Sequence, residues 1–185
     1  MNFVQPIRDQ ETIDDIKRFF RKEFGKQGER NCMMFVLGIN TGLRIQDILK
    51  FCKRDVIGDQ IVMNEMKTGK RKIIQINPTL KRELKKYTAD MDMDDCLFAS
   101  RQGGSNKPIK RDMAYKIMRK AADEFGLVDI GTHTLRKTFG YHMYQKTKDI
   151  TLVKRLLNHS NESITMGYIC MDQDMMNIAM NRFGL

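Results

Sequence analysis

The stretch Asp55-Val56-Ile57-Gly58-Asp59-Gln60-Ile61-Val62-Met63-Asn64-Glu65-Met66-Lys67-Thr68-Gly69-Lys70-Arg71-Lys72-Ile73-Ile74-Gln75-Ile76 departs from the rest of the chain. Val56-Ile57, Gln60 to Met63 and Lys72 to Ile76 are short β-prone runs, and Gly58-Asp59 and Thr68-Gly69-Lys70 between them are turn signals. The pattern predicts a three-stranded antiparallel meander with Lys67, Lys70 and Arg71 around its second turn. On both sides of it the apolar residues recur with helical spacing.

Upstream, Asp9 or Thr12 can cap a helix to about Phe24, with Ile13, Ile16, Phe19 and Phe20 on one face and Gly25 ending it. A second helix, roughly Glu29 to Asn40, is apolar through Met33, Met34, Val36 and Leu37 and is expected at the centre of the core. Thr41-Gly42 breaks the period before a short helix with Ile45, Ile48 and Leu49. Downstream, helices are expected from Asn77-Pro78 to Tyr87 and from Lys110 to Phe125, the second preceded by a loop at Gln102 to Ser105. Four more follow, near Leu135 to Gln145, Ile150 to Leu157, Glu162 to Ile169 and Asp172 to Arg182. The fold class is mainly α with a small three-stranded antiparallel β-sheet.

The 185 residues, 41% of them hydrophobic, suit one domain with one sizeable core. The longest apolar run, Cys32 to Gly38, is far short of a membrane span, and the N-terminal residues lack a signal-peptide core, so a soluble cytoplasmic protein without a membrane partner is expected. Cys32, Cys52, Cys96 and Cys170 are widely spaced and read as reduced thiols.

The formal net charge is +10, and it is unevenly placed. Residues 50–86 carry a net +7, residues 101–120 +6 and residues 133–160 +5, with acidic stretches between them. Such alternation suits a fold that gathers separate basic stretches onto one face toward a polyanion.

Metal and nucleotide chemistry find no pattern here. His133, His142 and His159 fit neither a helical ligand pair nor a zinc finger, and no phosphate loop or dinucleotide-binding glycine signature is present. What remains is an array of phosphate-seeking donors with one phenol. Thr41-Gly42-Leu43-Arg44 puts an arginine after a tight turn, and His133-Thr134-Leu135-Arg136 sets a histidine and an arginine one helical turn apart. Leu156-Leu157-Asn158-His159-Ser160 places a histidine after a helix end, and Tyr168 follows nine residues later. Singly, each has a plain reading: Arg44 can pair with Asp47, Asn158 is an ordinary left-handed cap, and Tyr168 can simply pack.

In their order and combination these residues resemble the tyrosine recombinases, or phage-type integrases, over nearly the whole chain. The resemblance implies the DNA breaking-rejoining catalytic fold, with Arg44, Lys67, His133, Arg136, His159 and Tyr168 as the catalytic set. Asp47 matches a buttressing carboxylate. Asn158 stands where a glycine is more usual in the family. Residues 1–185 are then expected to be a single catalytic domain, with the N-terminal core-binding domain absent.

The implied function is site-specific recombination, cleaving and rejoining duplex DNA through a covalent 3′-phosphotyrosine without metal, ATP or any other cofactor. Arg44 and Arg136 would clamp the scissile phosphate and His159 donate to it, while His133 accepts the Tyr168 proton and both arginines lower the phenol pKa. Lys67 is the chosen acid for the leaving 5′ oxygen, with Lys70 and Lys72 as rivals. Lys70, Arg71, Lys72, Lys107, Lys110 and Arg111 are expected to hold the double-stranded DNA backbone. The tail stripe Met175, Ile178, Ala179 and Phe183 either folds back or docks on a neighbour in a tetramer on DNA. A non-catalytic accessory factor acting with a full-length recombinase is the alternative, and a relaxing topoisomerase the third reading.

Overall fold

The computed structural model describes residues 4–22, 26–101 and 106–183. The expected helix stop at Gly25 and the loop at residues 102–105 lie outside these. Helix α1, Gln10–Lys22, starts where Asp9 Oδ2 accepts from the Thr12 amide at 2.7 Å, and it buries Ile13, Ile16 and Phe20. Helix α2, Lys26–Thr41, has Met33, Met34, Phe35, Val36 and Leu37 all buried. An element apolar over most of its circumference has to sit inside, and α2 packs against α1, α3 (Ile45–Ile48), α4 (Pro78–Tyr87) and α6 (Thr132–Thr147). Asn77 caps α4 by accepting from the Leu80 amide at 2.8 Å, and Pro78 takes the first helical position, where no amide is needed. Helices α5 (Arg111–Glu124), α7 (Ile150–Leu157), α8 (Glu162–Tyr168) and α9 (Met171–Arg182) complete the order.

The architecture is mainly α with a small antiparallel sheet, as expected, but the sheet has two strands rather than three. Strand β1, Gln60–Asn64, pairs with β2, Arg71–Gln75, in a register running from Gln60 opposite Gln75 to Asn64 opposite Arg71. Val56-Ile57 is too short to form a rung of its own. The Val56 amide instead donates to Lys53 O at 3.1 Å, at the end of a 3-10 turn over Lys53–Asp55, and its side chain is buried. Another pairing is non-local: Cys52 faces Cys96 in an isolated antiparallel bridge, and all four cysteines are free thiols.

Two apolar clusters form the interior. The larger surrounds α2; the smaller joins Phe139, Val153, Leu157, Ile169 and Met171. One glycine stands at the seam between them and another tightens the smaller cluster. Gly42 has φ +63°, and a Cβ there would stand 2.3 Å from the Phe139 ring, so both backbone and space require glycine. At Gly140, in α6, a Cβ would stand 2.7 Å from Ile169 Cγ2, which lets the segment after α8 press directly onto α6.

The last helix is held at its beginning only. Met171 is buried, and Asp174 receives two 2.9 Å hydrogen bonds from the Arg8 guanidinium. Beyond that, Met175, Met176, Ile178, Met180 and Phe183 are all more than half exposed. No helix among the described residues is long and apolar enough to cross a membrane.

Candidate active site

Arg136 projects from the first turns of α6 into the seam and is 2% exposed. Its Nη1 donates to Gly42 O at 2.6 Å and its Nη2 to Leu157 O, the carbonyl that ends α7. The glycine turn before α3 and the end of α7 thus fix one guanidinium from opposite sides. Burial pulls the Arg136 pKa below its ordinary value, against the support of Tyr168 and Glu65. Arg44 is the N-cap residue of α3, and its Nη1 stands 3.2 Å from Glu65 Oε2 without an aligned hydrogen bond.

The plain reading of Arg44 as a partner of Asp47 does not hold: its partner is Glu65. Asp47 is 2% exposed and its Oδ1 accepts from the Met66 amide at 3.0 Å, so it buttresses the hairpin turn rather than the arginine. Glu65 is 1% exposed. Burial alone would raise its pKa, but the Asn158 amide, the Thr68 hydroxyl, Lys72 and Arg44 together bring it to about 2.

Tyr168 ends α8 with its Oη 3.5 Å from His133 Nδ1, at the outer limit of a hydrogen bond. The His159 ring meets the Tyr168 ring edge to face, with centroids 4.8 Å apart. Burial pushes the phenol above its ordinary value, and Arg136 and Arg44 only partly pull it back. Both arginines thus lower the phenol as expected, but burial outweighs them, and Tyr168 needs a proton acceptor to become a nucleophile. His133, exposed on α6, has its pKa lowered by desolvation and by Arg111, Arg136 and Arg44, so its imidazole is free to accept.

His159 follows the left-handed cap Asn158, whose φ and ψ are 52° and 45°. Burial, with Arg136, Arg44 and Lys72 nearby, lowers its pKa to about 4. The Thr165 hydroxyl donates to Asn161 O at 2.9 Å, so its oxygen receives the Nδ1–H of His159 at 3.2 Å. In the neutral ring Nε2 is then a lone pair.

The three lysines of the hairpin part company. Lys67 is exposed on the turn and lines a cavity of about 280 Å³ with Arg44, Met66, Arg111, His133 and Arg136. Lys70 is exposed as well. Lys72, expected on the DNA-facing surface, is turned inward: its side chain is 13% exposed, and Nζ donates to Leu156 O at 2.6 Å and lies 3.7 Å from Glu65 Oε1. Burial, with the positive charge of Arg136, lowers its pKa to about 8. Of the other expected backbone contacts, Arg71, Lys107, Lys110 and Arg111 are exposed, and Arg111 lines the cavity.

Two residues of the site were not anticipated. Glu65 could have been found by strand parity, because Ile61 and Met63 face inward and the next residue of that parity is a carboxylate. Lys137, buried on α6, holds its Nζ 5.1 Å from the Tyr168 ring centroid, and a lysine in a helix interior carries no such signal in sequence. Among the described residues no group of three or more His, Cys, Asp or Glu is placed to hold a metal ion.

The family model described as Phage integrase family matches residues 9–174. The probable integrase/recombinase YoeC of Bacillus subtilis (strain 168) is 46% identical over 185 residues, which is 100% of this chain and 99% of YoeC. Tyrosine recombinase XerA of Pyrococcus horikoshii is 26% identical over 142 residues, 75% of this chain and 50% of that protein. Among solved structures, XerH site-specific recombinase bound to palindromic difH substrate, a post-cleavage complex, matches with a TM-score of 0.72 at 19% identity, over 97% of this chain and 53% of XerH. At that identity the likeness is one of fold. The chain thus spans nearly all of YoeC but about half of XerA and of XerH.

Proposed function

The chain belongs to the phage integrase family, and from that premise we propose that it is a site-specific recombinase acting on duplex DNA, with residues 1–185 as its strand-cleaving catalytic domain. Tyr168 attacks the scissile phosphate, forming a 3′-phosphotyrosine and releasing a 5′ hydroxyl. The observation that carries this reading is the approach of Tyr168 Oη to His133 Nδ1, with the positive charges of Arg136 and Arg44 acting on the same phenol. A packing tyrosine has no need of a proton acceptor at its hydroxyl.

Each neighbour has a task in that step. His133 takes the phenolic proton as the O–P bond forms. Arg136, held by two backbone carbonyls, and Arg44 present donors to the non-bridging oxygens as negative charge grows on them. The phosphate's charge favours the imidazolium form of His159, which then gains a proton on Nε2 and donates it in a further hydrogen bond.

Lys67 protonates the leaving oxygen. It stands on the turn, lines the cavity and is exposed, whereas the Lys72 amine is engaged by Leu156 O and Glu65. Exposed Lys70, Arg71, Lys107, Lys110 and Arg111 hold the backbone, each neutralised phosphate adding about 0.9 to the salt slope. The apolar side chains left open on α9 dock on a neighbouring copy, giving an oligomer on DNA.

The test uses nicked suicide duplexes from a randomised pool, with selection of denaturant-resistant protein–DNA adducts. Wild-type protein is expected to form adducts and Tyr168→Phe none. No wild-type adduct, or equal adduct from Tyr168→Phe, defeats the mechanism in favour of a non-catalytic accessory role.

A further inference from the structure

Glu65 lies where the elements that carry the reactive groups converge. Its amide donates to Lys70 O at 3.0 Å and its carbonyl accepts from the Gly69 amide at 2.8 Å, closing the turn that bears Lys67. Its Oε2 accepts from the Thr68 hydroxyl at 2.8 Å, which ties the same turn again. The same oxygen accepts from Asn158 Nδ2 at 3.0 Å, one residue before His159, and stands 3.2 Å from Arg44 Nη1. Oε1 is buried without a hydrogen-bond partner and lies 3.7 Å from Lys72 Nζ.

An uncharged glutamine could satisfy Thr68 and Asn158 equally well. Only Arg44 and Lys72 need the charge, and a buried carboxylate is costly to keep unless its charge is used. Asn158 raises the matching question from the other side. At a left-handed position glycine serves the backbone at least as well, so what the asparagine adds is the amide that reaches Glu65.

We infer that Glu65 is a positioning residue for strand cleavage, holding the Lys67 turn, the Arg44 guanidinium and the Asn158–His159 turn in one arrangement before DNA arrives, with Asn158 as its partner across the site. This rests on the cleavage reading above. Glu65 touches no substrate atom in this scheme and acts through the groups it holds.

The experiment compares wild type, Glu65→Ala, Asn158→Gly and the double variant on a nicked suicide duplex from the selected pool, in two forms. One has the ordinary 5′ oxygen at the scissile bond; the other has sulfur there, which leaves as a thiolate without a proton. Misplacing the Lys67 turn should slow Glu65→Ala about a hundredfold on oxygen but about tenfold on sulfur, since general-acid assistance is withdrawn only from the first. Equal losses on both duplexes overturn the inference. Asn158→Gly keeps a good left-handed cap and should fold as wild type, slowing cleavage about fivefold, and the double variant should be no slower than Glu65→Ala. Additive losses overturn the pairing.

Amide hydrogen exchange of Met66 to Lys70 is the arm that needs no cleavage. It is expected to quicken in Asn158→Gly at unchanged global stability, and an unchanged rate overturns the link between the two turns. If wild type forms no adduct the cleavage reading fails, while this measurement still decides whether Glu65 and Asn158 hold the hairpin.

Discussion

The two arginines of the site are built by opposite means. At the α6–α7 corner the fold itself holds Arg136, through one carbonyl from the turn before α3 and another from the end of α7, and leaves it 2% exposed. At the α3–hairpin corner Arg44 is held by a side chain, Glu65, at 3.2 Å, with its own side chain 19% exposed. The first corner is a piece of architecture that doubles as chemistry. The second is an adjustable arrangement, in which the groups that hold the arginine stand on a hairpin that can be tied or released.

The contrast breaks most clearly at Arg136. Arg136→Ala leaves two buried carbonyls without donors, and urea unfolding should show a loss of about 3 kcal/mol together with loss of the adduct. A variant with wild-type stability would mean that the corner does not depend on the guanidinium. Arg44→Ala should separate the two properties: adduct formation falling about a hundredfold, with a smaller stability loss than Arg136→Ala because Lys72, Thr68 and Asn158 still hold Glu65. Comparable stability losses in both variants would erase the distinction.

A smaller and more selective effect comes from acid. His159 titrates near 6.5 when unfolded and at about 4 in the folded protein. Between those values the unfolded chain binds a proton that the folded one refuses, so stability declines as pH falls from about 6.5 to about 4. Glu65 contributes stability that is full above its ordinary 4.5 and is lost as pH falls toward about 2. Protection of the hairpin amides, taken against intrinsic exchange at each pH, should therefore fall in acid before that of the α6 amides around Arg136, whose ties to Gly42 and Leu157 involve backbone carbonyls that do not titrate in this range. Simultaneous opening of both would show that they are one unit.

Most of the helical framework was legible because its signals are local. Asp9, Asn77 and Gly42 announce helix boundaries by their own chemistry, and the spacing of His133 and Arg136 places them one turn apart on α6. The candidate catalytic residues were legible as an ordered set: Lys67 lines one cavity with Arg44, His133 and Arg136, and His133 and His159 both meet Tyr168. The third strand failed because two β-branched residues can end a turn as easily as begin a ladder; the hydrogen bond from Val56 to Lys53 decided it. The lysines of the hairpin could not be sorted, since one position of register decides whether a side chain points to the turn, the solvent or Glu65. Glu65 was missed for a related reason: β1 and β2 expose Val62 and Ile73 on their outer face, which blurs the parity that marks an inward carboxylate.

The absent Cβ of Gly140 has a mechanical meaning. Ile169 occupies the space that side chain would have filled, and Ile169 is the residue next to Tyr168. A tooth just past the end of α8 is thus seated in a notch of α6. The backbone that carries the phenol is thereby keyed to α6, which bears both His133 and Arg136. A side chain at position 140 would lever Tyr168 away from both of those groups at once.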